Sequence, residues 1–223
     1  MKTAHLSTLW LLLLVLISCG PNPDRCGTDK ALLEDSFNDT ACGWDEYDED
    51  EASAGYRGSE YYVAVHQTNR SAVAVPGATF SDVSIQAEAR LETGTADNNF
   101  GLLCRYQDMD NFYAFLISND GYYAIAKVIG GAPYAILSGD GTHLMPSEAI
   151  FVEPGENNEI HAVCAGDELT LYVNGQQLAG VNDPDLETGD IGFIVSTYDT
   201  APAEIHFDNL FVQEPALPRS ETD

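Results

Sequence analysis

The sequence predicts an all-β sandwich, and three observations lead to this fold class. From Ala31 onward, short apolar or alternating runs are separated by clusters of Gly, Asn and Asp, which is the pattern of half-buried strands and their turns. The turns at 119–121 and 174–175 carry Asn, Asp and Gly, residues that accept the positive φ of tight hairpins. A parallel βαβ fold would need repeated helices of about ten residues or more, and none is visible.

The strands follow the apolar runs in order. We predict them at 31–37, 61–67, 72–75, 83–91, 100–106, 112–118, 122–128, 133–137, 159–165, 169–173, 177–181, 191–196 and 204–212. Residues 143–150 form the one stretch predicted to adopt a helical turn. No linker or internal repeat divides these runs, so we predict one domain over residues 31–213, followed by a disordered tail at 214–223.

Alternation assigns the two faces of the central strands. The odd-numbered residues of 113–117 are bulky and are predicted to fill the core, whereas their even-numbered neighbours, together with the alanines of 124–126, face outward. By the same reasoning Cys104 points inward and Arg105 points outward. Arg105 is therefore predicted to be an unusual cation on a sheet face of an acidic protein.

The charge of the chain limits its partners. Nine Lys and Arg oppose 36 Asp and Glu, for a net charge of −27, and loss of residues 1–18 would remove Lys2 and leave −28. This excess repels phosphate backbones and anionic lipids, which argues against nucleic acid and against a polybasic membrane patch. Neutral ligands and divalent cations fit such a surface better.

The N-terminal residues predict export and a lipid anchor. The apolar run at 9–17 is shorter than the roughly 20 residues that span a bilayer and has the length of a signal-peptide core. It ends at Ser18-Cys19, which resembles the bacterial lipoprotein signal, whose cysteine is acylated. We therefore predict a signal peptide at 1–18, lipidation of Cys19, a tether at 19–30 and an extracytoplasmic protein that contacts the cell or outer membrane only through its anchor. An ordinary secretory signal is the alternative.

Four cysteines then remain, namely Cys26, Cys42, Cys104 and Cys164. An even number outside the cytoplasm favours two disulfides, and four cysteines allow three pairings. We favour Cys26–Cys42 as a local loop and Cys104–Cys164 as a link between strands. A zinc site is the competing interpretation, but the C-x-x-C and H-x-x-x-H spacings that would support it are missing.

The run Phe100-Gly-Leu-Leu-Cys-Arg-Tyr-Gln-Asp-Met-Asp-Asn-Phe-Tyr-Ala-Phe-Leu-Ile-Ser-Asn-Asp-Gly-Tyr-Tyr123 resembles bacterial secreted modules of the concanavalin A-like lectin/glucanase superfamily. The group that it resembles most is related to 3-keto-disaccharide hydrolases and laminin-G-like domains, and the segments at 35–39, 169–175 and 192–212 fit the same pattern. The resemblance implies a two-sheet antiparallel jelly roll with a concave face that often binds glycans, and it places Cys104 and Cys164 on neighbouring strands. Relatives often carry a polar residue where this chain has Leu116.

An acidic run contains weak catalytic candidates. Glu46, Asp48 and Glu51 match the spacing E-x-D-x-x-E, the pattern of retaining glucanases in this superfamily, whose chemistry needs two carboxyl groups about 5–5.5 Å apart. Here the residues between them are Tyr47, Glu49 and Asp50 rather than the apolar residues of a rigid strand. A solvated loop or weak cation binding explains the run better, so no catalytic residue is assigned.

A structural calcium site is a further prediction. Calcium takes six to eight oxygen ligands, and sandwich modules of this type often bind it where the first and last strands meet. Asp35 and Asp208 lie in those predicted strands, with Asn38, Asp39 and Asn209 nearby. The alternative is that Asp208-Asn209 only forms a bulge in an edge strand.

Carbohydrate or another surface polymer is the predicted ligand, bound without catalysis. Glycan sites need aromatic platforms beside hydrogen-bonding groups, and Arg105, Tyr122 and Trp44 are the candidates. Two alternatives stay open. One is a glycoside hydrolase or lyase, and the other is a structural or sensory domain that contacts proteins through a broad apolar patch on the alanine-rich face.

Overall fold

A computed structural model describes residues 26–153 and 155–216, and these residues form an all-β fold without helices. The strands are β1 (Leu33–Asp35), β2 (Tyr47–Asp48), β3 (Ala52–Arg57), β4 (Glu60–Val65), β5 (Ser71–Ala74), β6 (Thr79–Phe80), β7 (Val83–Thr93), β8 (Asn99–Asp108), β9 (Asn111–Ser118), β10 (Tyr122–Val128), β11 (Ala135–Ile136), β12 (Met145–Pro146), β13 (Asn158–Ala165), β14 (Glu168–Val173), β15 (Gln176–Asn182), β16 (Gly189–Ser196) and β17 (Ala203–Gln213).

The strands form two antiparallel sheets. The nine-stranded sheet has the order β15-β14-β13-β7-β17-β4-β3-β2, with β1 beside β17. The eight-stranded sheet has the order β11-β10-β9-β8-β16-β5, with β12 beside β10 and β6 beside β16. The predicted two-sheet antiparallel jelly roll is confirmed.

An aromatic stack in the core joins the two sheets. The Trp44 ring stacks on Phe193 with centroids 4.5 Å apart, and Phe193 stacks on Phe207 at 4.0 Å. Phe193 belongs to the eight-stranded sheet and Phe207 to the nine-stranded one. Only 3% of Trp44 is exposed, so the structure contradicts its prediction as a ligand platform.

Some short elements differ from the prediction. β2, β3, β6 and β12 were not predicted, and residues 143–150 contain β12 and turns in place of a helical turn. β3 has the sequence Ala-Ser-Ala-Gly-Tyr-Arg, which is poor in the β-branched and aromatic residues that signal a strand. It is a strand because β4 and β2 hydrogen-bond to its two edges.

Both favoured disulfides are confirmed. Cys26 bonds to Cys42 and Cys104 bonds to Cys164. The expectation of neighbouring strands for the second pair is wrong, because Cys104 lies on β8 of one sheet and Cys164 on β13 of the other. This disulfide therefore ties the two sheets together. Because disulfides persist in oxidising compartments, the pair of bonds indicates an extracytoplasmic location.

The predicted signal peptide, Cys19 and most of the tether lie outside the described residues. The last tether residues pack on the domain, since Cys26 is buried and its carbonyl accepts a hydrogen bond from the Glu34 amide. Within the described chain, no helix is long and apolar enough to cross a membrane.

Candidate functional site

The outer face of the eight-stranded sheet is apolar and covered. Ile136 of β11 pairs with Ala126 and packs on this face, and the exposed Tyr134 meets Phe112 with ring centroids 5.9 Å apart. The side chains that form this second apolar cluster are Leu103, Phe112, Ala114, Leu116, Ala126, Val128 and Ile194. The alanine-rich face is therefore directed outward as predicted, but it is not an open patch for a sugar or a protein.

Arg105 is not on this face. The strand pairing of β8 and β9 is irregular between Cys104 and Asp108, and Arg105 has a φ of 52°. An irregularity of this kind breaks the alternation of side chains, so Arg105 turns toward the end of the sandwich, where only 3% of it is exposed. Its prediction as a ligand-binding residue on an open sheet face is wrong.

The Arg105 guanidinium instead holds three loops. It donates to the carbonyls of Leu186 and Gly166, both at 2.7 Å, and to that of Ser81 at 3.2 Å. A longer contact of 3.4 Å joins it to the carboxylate of Asp82. Because its N–H groups point at these acceptors, Arg105 has a structural role.

Tyr122 lies at the opposite end of β8 and β9, in a small cleft that we call the rim cleft. Tyr122 is 40% exposed and Tyr198, across the cleft, is 44% exposed. The cleft has a volume of about 110 Å³ and is lined by Asp97, Asn99, Ser118, Asp120, Tyr122, Leu144 and Tyr198. Strand pairing builds it, because Ser118 and Ser196 both pair with Asn99 and so bring the turns after β9 and β16 beside β8.

The polar groups of the rim cleft are held in fixed positions. The Asn99 amide nitrogen donates to the Tyr198 hydroxyl at 2.6 Å, which leaves the hydroxyl proton free to donate to a ligand. Partial burial, together with nearby Tyr134, raises the pKa of Tyr198, so the hydroxyl keeps its proton. The Asp120 carboxylate accepts a hydrogen bond from Ser118 through Oδ1. Two aromatic rings and two carboxylates thus face a space that is accessible to a small polar ligand.

The acidic run is divided between a groove and a turn. Glu46 and Asp48 line a groove at the edge of the nine-stranded sheet, beside Tyr62. Glu51 lies in the turn between β2 and β3 and pairs with the exposed Arg70 at 3.3 Å. Glu51 therefore does not line this groove, and all three residues lie outside the lining of the rim cleft.

The predicted calcium residues are brought together only in part. A cavity of about 450 Å³ beside the Cys26–Cys42 disulfide is lined by Asp35, Asn38, Asp39 and Asn209, but not by Asp208. Asp35 is 7% exposed, and its Oδ2 is buried without a hydrogen-bond partner among the described residues. Burial raises the pKa of Asp35 to about 6.

These oxygen donors fit a hard cation such as calcium, which would satisfy Asp35 Oδ2. Asp208 lies outside this cavity and accepts from the Asn209 amide at 2.7 Å through Oδ1. No group of three or more His, Cys, Asp or Glu suited to a metal ion occurs in residues 26–153 and 155–216.

An ionic network that the sequence did not predict lies on the outer face of the nine-stranded sheet. His206 lies between two carboxylates, with Nδ1 2.7 Å from Glu60 and Nε2 2.9 Å from Glu204. Arg90 also hydrogen-bonds Glu60 and lowers its pKa to about 2, while Arg57 donates to Glu204 at 2.6 Å. These groups join β3, β4, β7 and β17, and their mutual pairing favours a structural role. His206 and its partner Glu204 lie on the same face of β17, as strand alternation predicts, but Glu60, Arg90 and Arg57 come from other strands and left no local signal.

Comparisons with known proteins agree with this architecture. The family model described as a 3-keto-alpha-glucoside-1,2-lyase-like domain matches residues 33–213. A search of curated protein sequences found no significant match.

Three solved structures illustrate the fold. A carbohydrate binding module, CBM66 from Bacillus subtilis, has a TM-score of 0.62 at 14% identity, covering 77% of this chain and 96% of that one. A protein with a galectin-like fold from Bacillus subtilis has a TM-score of 0.59 at 12% identity, covering 83% and 96%. A putative glycosyl hydrolase from Parabacteroides distasonis has a TM-score of 0.52 at 13% identity, covering 81% and 98%. These likenesses support the jelly-roll fold, which binding proteins and enzymes share.

Proposed function

Since the chain belongs to the 3-keto-alpha-glucoside-1,2-lyase-like domain family, we propose that it is an extracytoplasmic module that binds carbohydrate in the rim cleft without catalysing a reaction. The carrying observation is that Tyr122 and Tyr198 expose their rings around a cleft that also contains Asp97 and Asp120. Aromatic rings stack on the C–H faces of sugars, and fixed polar groups select the hydroxyls. The similarity to a carbohydrate binding module supports the proposal.

The size of the cleft limits the ligand. A volume of about 110 Å³ is below the roughly 300–1,000 Å³ of pockets that enclose a whole small molecule. We therefore expect the cleft to contact one sugar unit at the end or along the side of a chain, with most of the polymer in solvent. Modest affinity for a single unit follows, because little surface is buried.

Calorimetric titration with a panel of oligosaccharides tests the proposal. Tyr122→Ala and Tyr198→Ala should each weaken binding by about tenfold, since stacking on one aromatic ring is worth about 1 kcal/mol or more. Tyr172→Ala is the matched control, because Tyr172 lies on β14 and stacks on His161, far from the cleft. Absence of binding across the panel, or equal losses in the control, would overturn the proposal.

The family match also favours a second candidate, cleavage of a 3-keto-α-glucoside. A ketone at C3 makes the proton on C2 more acidic. When a base removes this proton, the electron pair left at C2 forms a C1=C2 double bond and expels the oxygen on C1. The alkoxide that leaves then takes up a proton. Of the described residues that line the rim cleft, Asp97 and Asp120 are the candidates for that base. Product formation from a 3-keto disaccharide that disappears in Asp97→Asn or Asp120→Asn would favour the lyase, and no turnover would favour binding alone.

We also propose that the cavity beside the Cys26–Cys42 disulfide binds calcium as a structural ion. Protein treated with EDTA should melt at a lower temperature than protein in calcium, because a ligand at 100 times its dissociation constant stabilises the native state by about 2.7 kcal/mol. Asp35→Asn should abolish the difference, whereas Asp208→Asn should preserve it, since Asp208 does not line the cavity. An unchanged melting temperature would exclude the site.

Lipidation of Cys19 is the remaining part of the proposal. The small residue Ser18 before Cys19 supports it, and acylation with two or more chains would anchor the module stably. Mass spectrometry of the mature N-terminal peptide should find an acylated cysteine in the natural sequence and none in Cys19→Ser. An unmodified Cys19, or cleavage at another residue, would support an ordinary secretory signal.

A further inference from the structure

We infer that the rim cleft selects sugars that carry a free ammonium group, that is, amino sugars without an N-acetyl group, over neutral and acidic sugars. The inference rests on the proposed function, because it names the class of sugar bound at the same cleft. Three features of the described residues carry it: the sign of the charges in the cleft, the type of ring exposed there, and two unpaired amide oxygens on residues adjacent in sequence to the lining residues.

The charges that line the cleft are all negative. Among the described residues that line it, Asp97 and Asp120 are the only ionisable groups besides the two tyrosines. Two basic residues adjoin the lining residues and are already paired. Arg70, whose carbonyl accepts from the Thr197 amide, contacts Glu51 at 3.3 Å, and His143, next to Leu144, contacts Asp140 at 3.0 Å. A ligand ammonium therefore meets carboxylates without competition from a protein cation inside the cleft.

The exposed aromatic rings also favour a positively charged ligand. Tyr122 and Tyr198 line the same cleft as the two carboxylates, and the negative face of an aromatic ring attracts an ammonium group as well as stacking on a sugar. Neutral sugars can stack on the rings and donate hydroxyl hydrogen bonds to the carboxylates, but they gain no attraction between opposite charges. Acidic sugars would be repelled both by the cleft and by the net charge of −27 on the chain.

Two buried amide oxygens without a partner belong to residues that adjoin the lining residues in sequence. Asn98 precedes the lining residue Asn99, and Asn119 lies between the lining residues Ser118 and Asp120. They are 2% and 5% exposed, and the Oδ1 atom of each lacks a hydrogen-bond partner among residues 26–153 and 155–216. Because Asn99 pairs with Ser118, the two amides flank the same strand pair. Unpaired carbonyl dipoles in a region of low dielectric favour a nearby positive charge.

The test compares four tetrasaccharides by calorimetric titration at pH 6, where a sugar amine is protonated. The probes are the β-1,4 tetramers of glucosamine, N-acetylglucosamine and glucose, and the α-1,4 tetramer of galacturonic acid. We expect the glucosamine tetramer to bind about tenfold more tightly than the acetylated and neutral tetramers, the size of one close charge interaction near a protein surface. The acidic tetramer should not bind. Raising the salt concentration should reduce only the glucosamine affinity.

Variants in which one carboxylate is replaced by a neutral amide show whether the cleft causes the preference for glucosamine. Asp97→Asn and Asp120→Asn should each reduce the affinity for the glucosamine tetramer by about threefold to tenfold more than they reduce the affinity for the neutral tetramer, because only the ammonium loses a charge interaction. Asp50→Asn is the matched control, because it makes the same change in net charge at an exposed position between β2 and β3. It should not alter the preference.

The outcomes separate this inference from the proposed function. Tyr122-dependent binding of neutral or acetylated tetramers as tight as that of glucosamine would overturn the amino-sugar preference and leave carbohydrate binding intact. A preference that Asp50→Asn reduces as much as Asp97→Asn would also overturn it, since general charge attraction would then be the cause. If none of the tetramers binds in a Tyr122-dependent manner, both proposals fail.

Discussion

The two ends of the sandwich are built differently. At one end Arg105, the Cys104–Cys164 disulfide and the pair of Lys127 with Asp183 connect strands and loops of both sheets. At the other end, where β8 begins and β9 finishes, the rim cleft is open. We call the first the sealed end, after these connections, and the second the open end; a cavity of about 470 Å³ lined by Tyr106, Thr188 and Asp190 also lies at the sealed end.

The difference lies in how polar groups are satisfied. At the sealed end the Arg105 guanidinium has carbonyl partners on three loops, and the Tyr113 hydroxyl donates to Asp183 at 2.6 Å. At the open end the Oδ1 atoms of Asn98 and Asn119 have no partner among the described residues. Buried polar groups nearly always have a hydrogen-bond partner in native proteins, so buried polar groups without a partner tend to mark functional regions. The sealed end therefore carries stability, and the open end is available for a ligand.

Loss of the disulfide at the sealed end should give the largest effect. Its cysteines are 60 residues apart, whereas Cys26 and Cys42 are 16 apart. Because closing a longer loop removes more entropy from the unfolded chain, Cys104→Ala with Cys164→Ala should lower the free energy of unfolding by about 4 kcal/mol. Urea unfolding measures the change.

The matched control for that pair is Cys26→Ala with Cys42→Ala. From its shorter loop, we expect this double variant to lower the free energy of unfolding by about 3 kcal/mol. Both double variants avoid a free thiol that could pair wrongly. A larger loss from the shorter loop, measured in the same buffer, would contradict the view that the sealed end carries more stability.

Arg105→Ala should come next. It leaves the carbonyls of Leu186, Gly166 and Ser81 without their donor, and breaking a buried hydrogen-bonded charge interaction costs about 3 kcal/mol or more. Arg70→Ala is the control, since the exposed pair of Arg70 with Glu51 should contribute about 1 kcal/mol at most.

The same variant separates a structural role from a ligand role. Folded Arg105→Ala protein should bind sugars as the natural sequence does, because Arg105 lies at the end away from the rim cleft. If Arg105→Ala does not fold, Arg105→Lys serves instead, since lysine keeps the positive charge but lacks the planar guanidinium group that donates to several carbonyls. Unchanged stability with lost sugar binding would reverse our assignment.

The positions of Arg105 and Trp44 show what cannot be predicted about side-chain direction from the sequence alone. The alternation that correctly directs Cys104 into the core predicts an outward Arg105, and it fails because the irregular pairing after Cys104 shifts the periodicity. Such an irregularity depends on which strand lies alongside, so the local sequence carried no clear sign of it. Trp44 was misjudged for a related reason, since only the packed sheets bring Phe193 beneath it.

The rim cleft could be predicted only in part. Tyr122 follows the turn at 119–121, and its place at a strand end could be read from the sequence. Asp97 and Tyr198 lie in loops without a motif, and they reach Tyr122 because β8 pairs with both β9 and β16. The overall fold was easier to predict, since alternating runs and turn residues repeat along the whole chain, whereas a site depends on a few long-range pairings.

Acid should weaken the sealed end. Burial alone would raise the pKa of Asp183, but hydrogen bonds from Lys127 and Tyr113 outweigh burial and lower it. A carboxyl group with a lowered pKa in the folded state contributes stability above its ordinary pKa near 4, and the contribution is lost as the pH falls further. The free energy of unfolding should therefore fall in acid. Asp183→Asn should lower the free energy of unfolding by about 1–2 kcal/mol at pH 7 and make its decrease below pH 4 less steep. An equally steep decrease in the variant would show that Asp183 does not cause the acid sensitivity.

The open end should give the smallest effect on stability. Tyr122 and Tyr198 are 40% and 44% exposed, and surface residues outside buried networks usually change stability by less than about 0.5 kcal/mol. We expect Tyr122→Ala to fall within that limit. Tyr198→Ala should lose slightly more, because its hydroxyl accepts from Asn99, which is 2% exposed; Tyr198→Phe isolates that hydrogen bond. Urea unfolding of the three variants beside Arg105→Ala checks the contrast, and a loss at Tyr122 as large as the loss at Arg105 would show that the open end is a structural part of the sandwich.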